Sequence, residues 1–158
     1  MRLKMVMLIS TLLCTAGSAA AGSAATLYLQ AEEKYQHQGY EEAVSLLESA
    51  IAMAPRESRY HHLLGKCYGR MAETAGSFQA FSLARKTRRQ FEKAVELDGE
   101  NIAALQDLME YYREAPGFLG GSSKKAAEIA NKLSRLNTGD QRDETQTNQQ
   151  KDFDSSIM

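Results

Sequence analysis

Between Thr26 and Asn137 the apolar positions recur at helical spacing, and no stretch alternates apolar with polar residues as a strand requires. The segment from Glu41 to Ala54 shows the pattern well: Val44, Leu47, Ala50, Ile51 and Ala54 fall on one stripe, and Pro55 then ends the helix. Ser58 onwards carries Tyr60, Leu64, Cys67, Tyr68 and Met71 as a second apolar face. Asp98-Gly99-Glu100-Asn101 marks another break, before a third pair of helical segments. The spacing predicts an all-α fold.

The helices also repeat. Leu27 and Ala31 recur 34 residues later as His61 and Gly65, and 44 residues further on as Leu105 and Met109. Their partner helices follow in step, with Ala50, then Ala94 at 44 and Leu133 at 39. A base period of 34 with insertions of 10 and 5 accounts for all of these spacings. The first-helix pattern reads His61-x2-Leu64-Gly65-x2-Tyr68, then Leu105-x2-Leu108-Met109-x2-Tyr112. The second-helix pattern reads Ala43-x3-Leu47-x2-Ala50-x4-Pro55, more loosely Thr87-x3-Phe91-x2-Ala94-x4-Gly99, and most poorly Ala126-x3-Ala130-x2-Leu133.

In this register the chain resembles the tetratricopeptide repeat family over about 110 residues, and among its members bacterial exported repeat proteins to which no activity is assigned. The resemblance implies an α-solenoid of about three helix-turn-helix repeats spanning residues 22–137. Small residues at Ala31 and Gly65 would let paired helices approach, with Tyr68 and Phe91 filling the space between them. The insertion between Tyr68 and Phe91 is expected to lengthen both helices of the middle repeat and to project Phe78 and Phe81. The loop from Ala115 to Ser123 is longer than a plain repeat turn. No polar capping helix follows the third repeat, so its end is open to pairing with another copy.

Composition adds an address. Arg2 and Lys4 precede an almost wholly apolar run from Met5 to Leu13, followed by small residues from Ala16 to Ala25. That order predicts a cleavable secretory signal over residues 1–21, cut after Ala20 or Ala21. The apolar core is roughly half the ~20 residues of a membrane-spanning helix, which argues against an uncleaved anchor. Cys14 raises lipidation as an alternative, but Leu13 is too large for the small position before a lipidated cysteine. After cleavage Cys67 alone would remain, so no intramolecular disulfide is expected. Removing Arg2 and Lys4 from 19 basic residues leaves 17 against 20 acidic ones, a mature charge of −3. The expected location is the periplasm, or the exterior of a host with one membrane. Residues 138–158 are polar and are expected to form a disordered tail; a docking role for Phe153, Ile157 and Met158 is the sharper alternative.

Candidate chemistry is sparse. The three histidines, His37, His61 and His62, lack carboxylate or cysteine neighbours that would complete a metal site. His61 takes the large-residue position of the repeat and is expected to be packed. Cys67 has no recognisable base, so no enzyme and no cofactor are expected. Gly120-Gly121-Ser122-Ser123-Lys124-Lys125 lacks phosphate-loop spacing, and a turn with Phe118 and Leu119 tucked under the last helix pair is the plainer expectation. An anion held by the helix start beside Lys124 or Lys125 is the alternative.

Charge patterning carries more. Arg59, His62, Lys66 and Arg70 are spaced by three and four, which puts them on one helix face. The resemblance implies that first helices line a concave groove, with Tyr28, Glu32 and Tyr35 from the first repeat, and Gln106, Glu110 and Arg113 from the third. Such a face suits a protein or peptide bearing a carboxylate or acidic segment; a merely solvated charged face is the alternative. Arg85, Lys86, Arg88, Arg89 and Lys93 add positive charge, but interleaved stacking aromatics are absent and nucleic acid is not expected. The expected function is a binding adaptor or scaffold of the bacterial cell envelope. The alternative is a structural protein that self-associates through its open repeat end and the Phe78–Phe81 extension.

Overall fold

A computed structural model describes residues 23–138 as six α-helices joined by short connections, with no strand among the described residues. They are α1 (23–36), α2 (Tyr40–Met53), α3 (Ser58–Thr74), α4 (Ser77–Leu97), α5 (Ile102–Glu114) and α6 (123–138). The expected all-α class is what the described residues adopt. The expectations of a signal at 1–21 and a tail beyond Thr138 lie outside the described residues. The described chain divides into two compact units at Gly99, within the break read from Asp98 to Asn101.

In the first unit, α1 to α4 share one core. Ala24 and Ala31 of α1, Ala43, Leu47 and Ala50 of α2, Leu63, Leu64, Cys67 and Tyr68 of α3, and Leu83 of α4 are all buried there. Val44, Ile51 and Ala54 complete the α2 stripe as partly buried neighbours. Burial of such side chains contributes roughly 1.5–3 kcal/mol each for the larger ones. Local signals set the helix ends. After α1, Gln38 adopts a left-handed φ of 62°, Gly39 N–H reaches Lys34 C=O at 2.9 Å, and Gln38 N–H reaches Tyr35 C=O at 3.1 Å. This paired closure satisfies carbonyls that the helix end leaves open. Glu41 and Glu42 sit in the first turn of α2, where they complement its dipole.

The α3–α4 hairpin is closely packed. A Cβ added at Gly65 would lie 2.6 Å from Cδ1 and Cε1 of Phe91, so only glycine admits that ring at this separation. Ser58, buried, donates its hydroxyl to Ala94 C=O at 2.8 Å, tying the start of α3 to the end of α4. His61 is 8% exposed, with Nδ1 2.8 Å from Gln90 Oε1 and Nε2 3.1 Å from Pro55 C=O. It is packed and hydrogen-bonded, as its repeat position implied. The helices of this pair span 17 and 21 residues, against 14 for α2 and 13 for α5. The two helices around the stretch between Tyr68 and Phe91 are thus the longest described, and Phe78 stands 93% exposed at the start of α4.

In the second unit, Asn101 caps α5 by accepting from Ala104 N–H at 3.0 Å. Ala104, Leu105, Leu108 and Tyr112 are its buried stripe, and Ala126 and Leu133 are buried on α6. The connection is a built loop: a 3-10 turn at Gly117–Leu119, Gly120 at φ 94°, and Tyr111 Oη donating to Leu119 C=O at 3.1 Å. Phe118 is 75% exposed rather than tucked under the helix pair. Backbone closure holds this loop, so the ring is not needed to anchor it. The expected turn is present, with Leu119 half-buried and Phe118 exposed.

Candidate functional site

Two helices of the first unit supply the face to which the charge pattern pointed. On α1, positions 28, 32 and 35 follow one another by four and three, and on α3 positions 59, 66 and 70 are separated by seven and four, so each set runs along one side of its helix. Tyr28 stacks on Tyr60 with ring centroids 5.1 Å apart and planes at 24°. The Arg59 guanidinium lies 5.4 Å from both ring centroids, forming one rung between the helices. One turn-pair further along, Lys66 Nζ lies 5.1 Å from the Tyr35 ring centroid. Tyr35 and Glu73 beside Arg70 raise its already high pKa.

Acidic neighbours shape this row. Glu57 approaches Arg59 Nε at 3.3 Å, and Glu73 approaches Arg70 Nη1 at 3.0 Å. Both pairs are well exposed, so each contributes little to stability and leaves the cation available for exchange with another carboxylate. Lys66 rests on an aromatic face rather than on a carboxylate among the described residues. Tyr28 Oη donates to Glu32 Oε1 at 3.2 Å, and burial, then Glu32, pushes the phenol up to about 12. It therefore stays a neutral donor at any ordinary pH.

The structure thus brings Tyr28, Glu32, Tyr35, Arg59, Lys66 and Arg70 together. His62 takes another direction: it is half-buried with its ring 5.8 Å from that of Phe91, on the α4 side of α3. Gln106, Glu110 and Arg113 belong to the second unit, where they lie exposed along α5, and Arg113 Nη2 sits 3.5 Å from Glu114. Spacing alone missed Tyr60, which was expected as plain core and is the lower half of the Arg59 rung. It also missed Glu57 and Glu73, although the i,i+3 interval from Arg70 to Glu73 is itself a readable pairing signal.

The other candidates resolve into packing. Cys67 is fully buried and burial pushes its thiol up to about 12, partly offset by Lys66, so it is not a nucleophile in this environment. Lys125 reaches back to Tyr112, with Nζ 4.9 Å from the ring centroid, and Ser122 Oγ accepts from Lys125 N–H at 3.3 Å. The start of α6 thereby directs one lysine and one amide inward. Among the described residues no group of His, Cys, Asp or Glu converges as a metal site, and no helix is long and apolar enough to cross a membrane.

Comparison with protein-family models and with curated proteins finds no match to this chain. The residues themselves therefore carry the functional argument.

Proposed function

We propose that the chain is an exported adaptor or scaffold of the bacterial cell envelope, built as a solenoid of three tetratricopeptide-like repeats, which binds a protein or peptide segment and catalyses no reaction. The observation that carries this reading is the pair of cation-on-tyrosine rungs between α1 and α3. Arg59 on Tyr28 and Lys66 on Tyr35 hold two positive charges at fixed places on otherwise tolerant aromatic faces. Stacking lowers the conformational freedom of both long side chains before any ligand arrives, and a pre-ordered cation loses less entropy on binding. The chemistry fits an extended segment with a carboxylate, which exchanges with Glu57 and Glu73 for Arg59 and Arg70.

The experiment is affinity purification of the tagged protein from its own host, beside a Lys66→Glu/Arg70→Glu variant checked for helicity by circular dichroism. A protein retained by the wild type and lost with the folded variant is the expected result. Equal retention by both removes this face from the function.

A further inference from the structure

The groove uses none of the charge on α4. That helix buries Leu83, Thr87, Phe91 and Ala94, so at 100° per residue the opposite side is made of Phe78, Ser82, Arg85 and Arg89, flanked by Phe81. All five of these residues are exposed, Phe78 at 93% and Phe81 at 39%. From Ser77 to Phe91 the helix has Arg85, Lys86, Arg88 and Arg89 and not one acidic residue. Its acids begin at Glu92 and Glu96, which pair with Arg88 at 3.8 Å and Lys93 at 2.8 Å. Glu73, near the hairpin turn, is taken by Arg70. Glu41 and Glu42 open on a cleft they share with Gln79, on the α2 side of α4 and away from Arg85.

We propose that the outward face of α4, from Phe78 to Arg89, docks on an anionic phospholipid surface. Two features choose this occupant. A nearly fully exposed phenylalanine at the tip of a long hairpin gains by leaving water for an acyl boundary. Behind it, Arg85 and Arg89 follow on the same face at about 10 and 16 Å along the axis, from a rise of 1.5 Å per residue, where they can meet headgroup phosphates beside the inserted ring. Arg85 lies with its guanidinium 5.9 Å from the Phe81 ring centroid, so its apolar stem and that ring form one continuous surface. Each cation near an anionic leaflet contributes roughly 1 kcal/mol. A second copy of the same face is disfavoured, because two-fold pairing brings the Arg85–Arg89 cluster of one copy near the like cluster of the other with no acidic residue between Ser77 and Phe91 to offset it.

The chain has no tryptophan, so Phe78→Trp installs a single reporter at an exposed site. The full-length reporter protein is titrated with phosphatidylglycerol vesicles and with phosphatidylcholine vesicles, with and without brominated acyl chains. Any contribution of the apolar N-terminal run is the same in every variant. The expected result is a blue shift with bromolipid quenching on phosphatidylglycerol alone, reversed in 1 M salt. Adding Arg85→Glu and Arg89→Glu weakens that response by about thirtyfold or more. An unchanged spectrum with anionic vesicles overturns the proposal, as does an equal response to both lipids. A shift that tracks protein concentration without lipid assigns the face to a second copy instead. A shift produced by polyglutamate but not by vesicles assigns it to an acidic protein.

Discussion

At Gly65 a single missing methyl group sets the separation of two helices. Ordinarily an alanine in a helix interior is about 1 kcal/mol better than glycine. Here the added Cβ would meet the Phe91 ring at 2.6 Å, and that ring is itself buried. Overpacking of this kind costs about 1–3 kcal/mol, so the clash wins. Gly65→Ala is expected to lower stability by about 1 kcal/mol, measured by urea denaturation, and Phe91→Leu should make the same alanine nearly neutral. Alanine that stabilises the wild-type background would show that the α3–α4 contact is looser than the geometry requires. This contact was legible in the sequence, because Gly65 takes the small position shared with Ala31 and Phe91 the large apolar position shared with Leu47. His62 was not. Spacing places it on a face with Arg59 and Lys66, but a side chain at the edge of that face can lean either way, and the Phe91 ring draws it toward α4.

Among the elements, the closure of α1 shows where pattern reading stops. Gly39 looks like the residue that ends the helix, yet the left-handed position falls one earlier, on Gln38 at φ 62°. A non-glycine residue there carries a backbone cost of about 1–2 kcal/mol, and the side chain is exposed, so nothing packs to offset it. Gln38→Gly is therefore expected to raise stability by about 0.5–1 kcal/mol with no change in helical content. A loss of stability in thermal denaturation would mean that the Gln38 side chain contributes more than the backbone strain it imposes. The other breaks were readable: Pro55 after α2, and the Asp98–Asn101 stretch where the two units divide. The exposed Phe118 was not, because hydrophobicity predicts burial and says nothing of a loop already closed by Tyr111 and Gly120. For the candidate site, the sequence showed which charges share a helix, while the tyrosine partners come from a neighbouring helix that only the fold brings alongside.

For the molecule as a whole, three groups of the first unit that are neutral when protonated, Tyr28, Cys67 and Tyr68, all shift the same way. Burial, with Glu32 next, pushes the Tyr28 phenol from 10.0 up to about 12; burial, with Glu48 next, does the same to Tyr68. Burial also lifts the Cys67 thiol from 9.0 to about 12. Each of these groups is neutral when protonated, so the folded state holds protons that the unfolded chain has already released. Stability must then fall as pH rises, since the folded state binds more protons throughout that interval. Their contribution is complete below pH 9, begins to fade as an unfolded thiol would ionise, and is lost through pH 12. Tyr68 should weigh most among the phenols because it is buried and hydrogen-bonded to Glu48 at 3.0 Å, whereas Tyr28 is only half-buried and better screened. Urea midpoints at pH 8, 9.5 and 11 test this, comparing the wild type with Tyr28→Phe/Tyr68→Phe. The double variant loses two hydrogen bonds and starts lower at pH 8, but its midpoint should decline less steeply than that of the wild type. Parallel declines would mean that these phenols ionise without unfolding the α1–α4 core, and that its alkaline limit is set by other groups.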